Sequence, residues 1–206
     1  MTVKHIHLIR HGQTNWNKER RVQGRSESIL TAEGKQQAQN LAGVLDEFDI
    51  TRVYCSSSTR TRQTAEILFA GKAIPFTFCD QLREIYLGDW EGLLWDELQQ
   101  SHPEPAQAFW HRPENFLLPG AETFQEVQQR AMARFRQIIN DDNEHIAIIS
   151  HGVLIKTILC YLEDRPLAKL WEPPHMHNCA HSIVRCEAGQ APRIIQYAGT
   201  MPEAVA

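Results

Sequence analysis

Two histidines in this sequence are each followed by glycine and preceded by an apolar run. His11 lies in an Arg-His-Gly tripeptide after residues 4–9, and His151 lies in a Ser-His-Gly tripeptide after residues 145–150. A neutral imidazole nitrogen is a good nucleophile toward phosphorus, and the ring exchanges protons near neutral pH. A single histidine is more often a core or capping residue, so any chemistry depends on whether the fold brings the two rings together.

The elements that must position these histidines alternate between strands and helices. Strands are predicted at residues 4–9, 52–55, 145–150, 179–187 and 192–198, and helices at residues 31–47 (with Thr31 as N-cap), 59–69, 123–138 and after Gly152. This succession favours right-handed β-α-β crossovers, so the predicted fold class is α/β, a three-layer α/β/α sandwich with a mostly parallel central sheet. Open α/β sheets bind ligands at the carboxyl ends of their strands, where both histidines can meet.

A proline-rich stretch separates the two halves of this pattern. Residues 92–118 contain Pro103, Pro105 and Pro113 among short apolar pieces, and Pro119 follows. This composition predicts short helices and loops, which we interpret as a small helical cap inserted over the sheet at about residues 92–120. A chain of 206 residues is the size of one ordinary globular domain, so residues 1–206 are predicted to form a single domain whose tail, residues 199–206, frays.

The overall composition excludes several classes of protein. A formal net charge of −4 argues against a protein that binds nucleic acid or anionic membranes, since such proteins carry an excess of basic residues. No stretch approaches the roughly 18 apolar residues of a membrane span, and the first residues lack the pattern of a secretory leader, so a cytoplasmic location is expected. The five cysteines include no Cys-x-x-Cys pair and are expected to be reduced thiols.

A second group of potential ligands lies near the end of the chain. His175, His177, Cys179 and His181 would share one face if the whole segment were a strand, and such side chains are common zinc ligands. The segment precedes and only overlaps the predicted strand, however, and no second ligand pair occurs at finger-like spacing. We therefore predict no metal and no cofactor.

Four motifs occur in a characteristic order along the chain. They are Arg10-His11-Gly12-Gln13-Thr14, the Ser56-Ser57 pair with Arg60-Thr61-Arg62-Gln63-Thr64-Ala65, Leu82-Arg83-Glu84 with Gly88-Asp89-Trp90-Glu91-Gly92, and Ser150-His151-Gly152. In order and spacing they resemble the histidine phosphatase superfamily, specifically its phosphoglycerate mutase-like branch, with a pattern closest to alpha-ribazole phosphatases and broad-specificity phosphatases. The resemblance covers roughly residues 3–198.

The resemblance implies catalytic roles for five residues. His11 would be the nucleophile and would form a phosphohistidine intermediate. Arg10, Arg60 and His151 would surround the negative charge on the phosphoryl oxygens, because guanidinium forks match phosphate geometry. Glu84 would be the general acid that protonates the leaving oxygen and then activates water.

Further positions are implied with alternatives that the sequence leaves open. Asp89 and Glu91 compete for the acid role but are interpreted as turn or surface carboxylates. Gly12 is expected to allow a tight turn and a close approach of phosphate. Arg62 either contacts the leaving group or faces water, and Glu122 belongs either to a family motif near the cap or to a helix N-terminus. The residues implied to contact substrate are Thr14 (alternatively a helix cap), Asn17, Gln23, Gly24, Arg62 and Gly152.

Three functions are compatible with these residues. The leading interpretation is a phosphohydrolase acting on a small-molecule phosphate monoester. The alternatives are a cofactor-dependent phosphoglycerate mutase-type phosphotransferase and a non-catalytic phospholigand-binding or regulatory domain. The mutases of the family that the sequence resembles carry a longer insertion after the acidic residue and a basic C-terminal segment. Here only about 35 residues separate Glu84 from Pro119, which favours hydrolysis.

The cap region is rich in aromatic residues. They either form a surface for a substrate with an apolar or ring-containing part, or they simply pack the cap. The residues concerned are Trp90, Trp95, Phe109, Trp110, Phe116 and Trp171. The sequence does not decide the oligomeric state, and a homodimer is the default expectation because dimers are the commonest assembly.

Overall fold

A six-stranded sheet forms the centre of the protein in a computed structural model that describes residues 3–200. The strands are β1 (Val3–Arg10), β2 (Arg52–Ser56), β3 (Phe76–Cys79), β4 (His145–Ser150), β5 (His181–Glu187) and β6 (Arg193–Gln196). Their order is β3-β2-β4-β1-β5-β6; the first four are parallel to one another, β5 is antiparallel to β1, and β6 is antiparallel to β5. The predicted mostly parallel sheet is confirmed. Strand β3 was not predicted, because four residues of mixed exposure give too short a pattern.

Helices cover both faces of this sheet. They are α1 (Asn15–Lys18), α2 (Ala32–Leu45), α3 (Thr59–Leu68), α4 (Trp95–Ser101), α5 (Pro103–His111), α6 (Phe124–Ile138) and α7 (Gly152–Leu162). Side chains alternate between the two faces of a strand. Ile9 and Ile149 therefore pack with α2 and α3, whereas Leu8 and Ile148 pack with α6 and α7. The two cores confirm the α/β/α sandwich.

The helix starts follow the local sequence closely. Thr31 Oγ1 accepts a hydrogen bond from Gly34 N at 3.0 Å, as an N-cap does. Thr123 and Glu126 form a reciprocal capping box at the start of α6. The helix predicted at residues 31–47 ends two residues earlier, at Leu45.

The proline-rich stretch folds into α4, α5 and a 3-10 turn at Pro113–Asn115. Trp90 and Phe116 are buried beneath it, at 1% and 2% exposure, and belong to the core that packs against α6 and α7. Among residues 3–200, no helix is long and apolar enough to cross a membrane. The fraying predicted for the tail falls largely on residues 201–206, which lie outside the described residues.

A chain of hydrogen-bonded imidazoles crosses the sheet beneath Phe48. His7 Nδ1 lies 3.0 Å from His181 Nε2, and His7 Nε2 lies 3.1 Å from His145 Nδ1. Burial, together with the neighbouring histidines, lowers the pKa of His7 to about 2. Burial also lowers the pKa of His181 to about 4. The folded chain therefore holds His7 and His181 neutral at neutral pH.

Glycine is required where the start of α2 meets the loop after β1. A Cβ on Gly34 would lie 2.0 Å from the carbonyl oxygen of Gln13, and a Cβ on Gly12 would lie 2.5 Å from the carbonyl oxygen of Gly34. Gly12 is absent from the glycines with positive φ. The structure adds a reason for Gly12 that the sequence did not indicate: two backbone segments touch here and leave no room for a Cβ.

Acid should destabilise this fold through the imidazole chain. The unfolded state protonates histidine near pH 6.5, whereas folded His181 and His7 take up protons only near pH 4 or lower. The unfolded state thus binds more protons between these values, so the free energy of unfolding falls as pH falls, by up to about 1.4 kcal/mol per histidine per pH unit. Urea unfolding at pH 7.5 and pH 5.0 measures this slope.

The variant His7→Leu should show a shallower loss of stability between the two pH values than the wild type, even if it is less stable at pH 7.5. His111→Gln, which replaces an exposed histidine, should keep the wild-type slope. A His7→Leu slope equal to that of the wild type would show that the imidazole chain does not carry the effect.

Two glycines of the same helix should respond oppositely to alanine. Gly34→Ala forces the Cβ into the backbone of Gln13 and should destabilise the protein by about 1–3 kcal/mol. Gly43→Ala meets no atom within 4 Å and should stabilise it by up to about 1 kcal/mol, because alanine is the better helix former. Denaturant unfolding measures both values; an equal change in the two variants would contradict the close contact.

Candidate active site

A cleft of about 320 Å³ opens beside the carboxyl end of β1, below the cap helices α4 and α5. Segments from the two halves of the chain meet there, because β1 and β4 are adjacent parallel strands that end at the same edge of the sheet. Of the predicted site residues, those that line the cleft are Arg10, His11, Asn17, Gln23, Gly24, Arg60, Glu84 and Gly152.

His11 is buried at the base of this cleft, directly after β1. Its Nδ1 lies 2.8 Å from the carbonyl oxygen of Gly12, which can only accept, so Nδ1 carries the hydrogen and Nε2 keeps a free lone pair. Gly12 N in turn donates to Thr64 Oγ1 at 3.1 Å. Burial, and then the charges of Arg60 and Arg10, hold the pKa of His11 well below its ordinary value. The ring is therefore neutral, oriented and suited to nucleophilic attack.

His151 lies immediately behind His11, with 5.3 Å between the ring centroids. Ser56 Oγ lies 2.8 Å from His151 Nε2 and accepts from Ser58 N at 3.4 Å. The other ring nitrogen, Nδ1, is buried and has no hydrogen-bond partner among residues 3–200. Burial, with Arg60 as the largest charge, holds the pKa of His151 well below its ordinary value.

Two arginines give the site its charge. Arg60 is fully buried and donates to the carbonyl oxygens of Ser26 at 2.9 Å and Gly24 at 2.7 Å, and Arg10 donates to that of Met176. Burial lowers the pKa of Arg60 to about 10, so it stays charged at neutral pH. Within the described residues neither arginine forms an ion pair with a carboxylate.

Three buried nitrogens in this region lack partners within residues 3–200: Arg10 Nε, Arg60 Nε and His151 Nδ1. An unpaired buried donor costs about 1–3 kcal/mol, and more when it is charged. A tetrahedral oxyanion with several acceptor oxygens would satisfy donors of this kind and compensate the two positive charges. The donor set thus fits a phosphoryl group.

Glu84 reaches the same cleft from the irregular segment after β3. Its Oε2 accepts from Val153 N at 3.0 Å, and its Oε1 accepts from Leu154 N at 3.1 Å and Ile85 N at 3.0 Å. Val153 and Leu154 lie in the first turn of α7, where unpaired N–H groups favour a carboxylate. The carboxyl group is therefore fixed on the cleft wall, where it can exchange a proton with a ligand.

The competing carboxylates lie elsewhere. Asp89 is exposed and does not line the cleft. Glu91 is used internally, accepting from Arg25 N at 2.8 Å and Ser26 Oγ at 2.6 Å. The interpretation of these two residues as turn or structural carboxylates agrees with their positions.

Two amide side chains present donors to the cleft because their oxygens are already engaged. Asn17 Oδ1 accepts from Thr14 N at 3.1 Å. Gln23 Oε1 accepts from Thr14 Oγ1 at 2.8 Å and from Ser28 Oγ at 2.6 Å. Thr14 itself is fully buried, caps α1 and does not line the cleft. Of its two predicted alternatives, the structure shows the cap.

Arg62 does not line the cleft, so of its two predicted alternatives, contact with the leaving group and exposure to water, the structure shows the second. It is exposed on α3, its Nε donates to Ser57 O at 3.0 Å, and its guanidinium lies 4.1 Å from the ring centroid of Phe78. Arg60 and Arg62 are two residues apart on one helix, and a rotation of about 200° between them places them on opposite sides.

The aromatic residues divide between the two roles that the sequence left open. Trp95, Phe109, Trp110 and Trp171 line the outer part of the cleft, and Trp171 Nε1 donates to Phe109 O at 2.6 Å. Trp110 is 39% exposed and forms part of the rim. Trp90 and Phe116 serve packing, whereas these four form an apolar wall, to which Phe109 contributes from within the core.

Lys156 lines the cleft and was missed from the sequence. It lies within the otherwise apolar helix α7, and its Nζ donates to the carbonyl oxygens of Glu172 at 2.8 Å and Pro174 at 3.0 Å. It therefore fastens the segment that brings His175 and Met176 to the cleft. A single lysine in an apolar run was the available signal.

The histidine-cysteine cluster near β5 does not share one face. Strand β5 begins only at His181, and Cys179 has a φ of 55°, so His175 and His177 do not continue the strand alternation. Within residues 3–200, no group of three or more His, Cys, Asp or Glu side chains is placed to hold a metal ion.

Comparisons with known proteins agree with this geometry. The model of the histidine phosphatase superfamily (branch 1) matches residues 6–198. A Salmonella choleraesuis protein named "Probable phosphoglycerate mutase GpmB" is 33% identical over 159 residues, 75% of this chain and 74% of the relative. Bacillus stearothermophilus YhfR has a TM-score of 0.92 at 37% identity, covering 96% of this chain and 98% of that chain. The alpha-ribazole phosphatase from Shigella flexneri has a TM-score of 0.83 at 25% identity, covering 96% and 98%. The chain therefore belongs to branch 1 of the histidine phosphatase superfamily.

Proposed function

We propose that this protein is a metal-independent phosphohydrolase that cleaves small-molecule phosphate monoesters through a phosphohistidine on His11. One observation carries the proposal. The neutral ring of His11, with Nε2 unprotonated, lies in a cleft with the buried Arg60 and the half-buried Arg10, neither of which has a carboxylate partner in the described part of the chain. These arginines provide the positive charge that metal ions supply to phosphoryl transfer in other enzymes.

The reaction proceeds in two steps. In the first, His11 Nε2 forms a bond to phosphorus while the bond from phosphorus to the leaving oxygen breaks, and Glu84 gives that oxygen a proton. In the second, Glu84 takes a proton from water, the water oxygen bonds to phosphorus, and the N–P bond breaks. Arg10, Arg60 and His151 stabilise the charge on the transferred group in both steps.

The remaining cleft residues hold the substrate. The amide groups of Asn17 and Gln23 donate to phosphate oxygens, and the backbone at Gly24 and Gly152 permits close approach of the ligand. The four aromatic side chains at the outer cleft favour a leaving group with an apolar or ring-containing part.

Transfer to a second hydroxyl group is the alternative reaction, and the relative named as a phosphoglycerate mutase supports it. A mutase must exclude water while the phosphohistidine waits for its acceptor. The cap of this chain consists of helices of only 7 and 9 residues and a 3-10 turn, with Trp110 partly exposed at the rim. Such a small cap favours hydrolysis.

The purified protein should hydrolyse p-nitrophenyl phosphate in the presence of a chelator, and His11→Ala should abolish turnover. Rapid quenching with a ³²P-labelled substrate should trap an acid-labile, base-stable phosphoenzyme in the wild type only, because the N–P bond is broken by acid. No turnover by the wild type, with no labelled protein, would indicate a binding domain. Isomerisation of phosphoglycerate with a bisphosphate primer, faster than hydrolysis, would indicate the mutase.

Two arginines on α3 should differ sharply on substitution by lysine. Arg60→Lys removes the planar fork beside His11 and should lower kcat/KM by about 10²–10³-fold, the scale of losing one donor to a transition-state oxyanion. Arg62→Lys, two residues along the same helix on the solvent side, should leave kcat/KM unchanged. Steady-state kinetics compare the two, and a similar loss in both would contradict the assigned anion site.

A further inference from the structure

Four consecutive backbone carbonyls precede or belong to Glu84, and each accepts a hydrogen bond from a side chain. Arg130 donates to Gln81 O at 2.9 Å, Arg83 O at 2.7 Å and Glu84 O at 3.0 Å. Ser150 Oγ donates to Leu82 O at 2.7 Å. Residues 83–87 belong to no helix or strand. Side chains of other elements, rather than a strand ladder, therefore determine where this backbone runs.

Arg130 lies on α6 and uses all five of its N–H donors. Both Nη1 hydrogens go to the carbonyls of Gln81 and Arg83. One Nη2 hydrogen goes to Glu84 O, and the other to Glu122 Oε2 at 3.0 Å. Nε donates to Glu122 Oε1 at 2.8 Å. A lysine has three hydrogens on one nitrogen and cannot reproduce this pattern.

Each carboxylate oxygen of Glu122 accepts two hydrogen bonds, one of them from Arg130. Its Oε1 also accepts from Arg25 Nη2 at 2.9 Å, and its Oε2 also accepts from Tyr86 N at 2.8 Å. Burial opposes ionisation of this carboxyl, but the hydrogen bonds from Arg130 and Tyr86 hold the pKa of Glu122 below its ordinary value. Glu122 precedes the N-cap Thr123, and Glu126 completes the capping box. The role of Glu122 is therefore to hold Arg130 in place, and not to cap α6.

We propose that Arg130, locked in place by Glu122, is a positioning residue that sets the location of the Glu84 carboxyl group in the cleft. The inference rests on the proposed function, in which Glu84 protonates the leaving oxygen. A displacement of about 1 Å in a reacting group can cost on the order of 10²-fold in rate. Without Arg130, Gln81 O and Arg83 O lose their side-chain donor. Leu82 O keeps Ser150 and Glu84 O keeps Arg25 Nε at 3.3 Å, so the backbone that carries the Glu84 carboxyl group is held less firmly.

The test compares two substrates whose leaving groups differ in their need for a proton. p-Nitrophenolate departs without protonation, whereas the alkoxide of benzyl phosphate needs a general acid; both substrates carry a ring of similar size. The readout is kcat/KM, because it covers the steps up to departure of the leaving group and excludes hydrolysis of the phosphohistidine. Glu84→Gln should lose far more activity on benzyl phosphate than on p-nitrophenyl phosphate. Arg130→Lys should show the same selective loss, on the order of 10- to 100-fold on benzyl phosphate.

Three further variants make the result decisive. Arg136→Met, on the exposed side of α6, should leave both values unchanged. Glu122→Gln, of the same size as the native residue, should reproduce a weaker form of the selective loss. It tests the positioning role of Arg130 if Arg130→Lys is poorly folded. In a Glu84→Gln background, Arg130→Lys should cause no further loss on benzyl phosphate, because both changes act through one group.

The outcomes separate the positioning role from the proposed function. If Glu84→Gln lowers kcat/KM on the two substrates equally, the assignment of Glu84 as the acid fails, and the positioning role fails with it. Suppose instead that Glu84→Gln lowers kcat/KM mainly on benzyl phosphate, whereas Arg130→Lys and Glu122→Gln either lower it equally on the two substrates or leave it unchanged on both. The proposed function then stands, and the positioning role is overturned. Circular dichroism melting curves set an assay temperature at which each variant is folded.

Discussion

The hydrogen bond from His11 Nδ1 to the carbonyl oxygen of Gly12 is the interaction on which the site depends. It leaves the nucleophilic lone pair on Nε2 and fixes the plane of the ring. The carbonyl is in the right place only because the Gly12 backbone is held by Thr64 and packed against Gly34. The orientation of one imidazole thus draws on the end of β1, the first turn of α2 and the middle of α3, three elements that the central sheet brings together.

Charge imposes the second constraint on the structure. The half-buried Arg10 and the buried Arg60 lie beside two neutral histidines, with carbonyl oxygens as their partners and no paired carboxylate within residues 3–200. Such an arrangement reduces stability unless a ligand contributes negative charge. The carboxylates near the cleft are engaged elsewhere: Glu84 binds the N-terminus of α7 and Glu122 binds Arg25 and Arg130. Neither carboxylate forms an ion pair with Arg10 or Arg60, so both guanidinium groups remain available to an anionic ligand.

Much of the fold followed from local patterns. The caps at Thr31 and Thr123 and the apolar periods of β1, β4, α2 and α6 depend on residues a few positions apart, so the sequence alone predicts them well. The order of the four motifs was sufficient to indicate the family. Strand β3 escaped prediction because its four residues carry no buried alternation.

The sequence by itself therefore determined the layers of the fold, the residues at which the helices start and the motifs that accompany the nucleophile. Tertiary structure decided which partners the residues of those motifs contact. It turned Arg60 inward and Arg62 outward, divided the aromatics between core and cleft, and joined Arg130 to carbonyls 46 to 49 residues away. The physical reason is that helical and strand periods are properties of neighbouring residues. Side-chain partners across the sheet depend on how separate elements pack, and no local spacing encodes that.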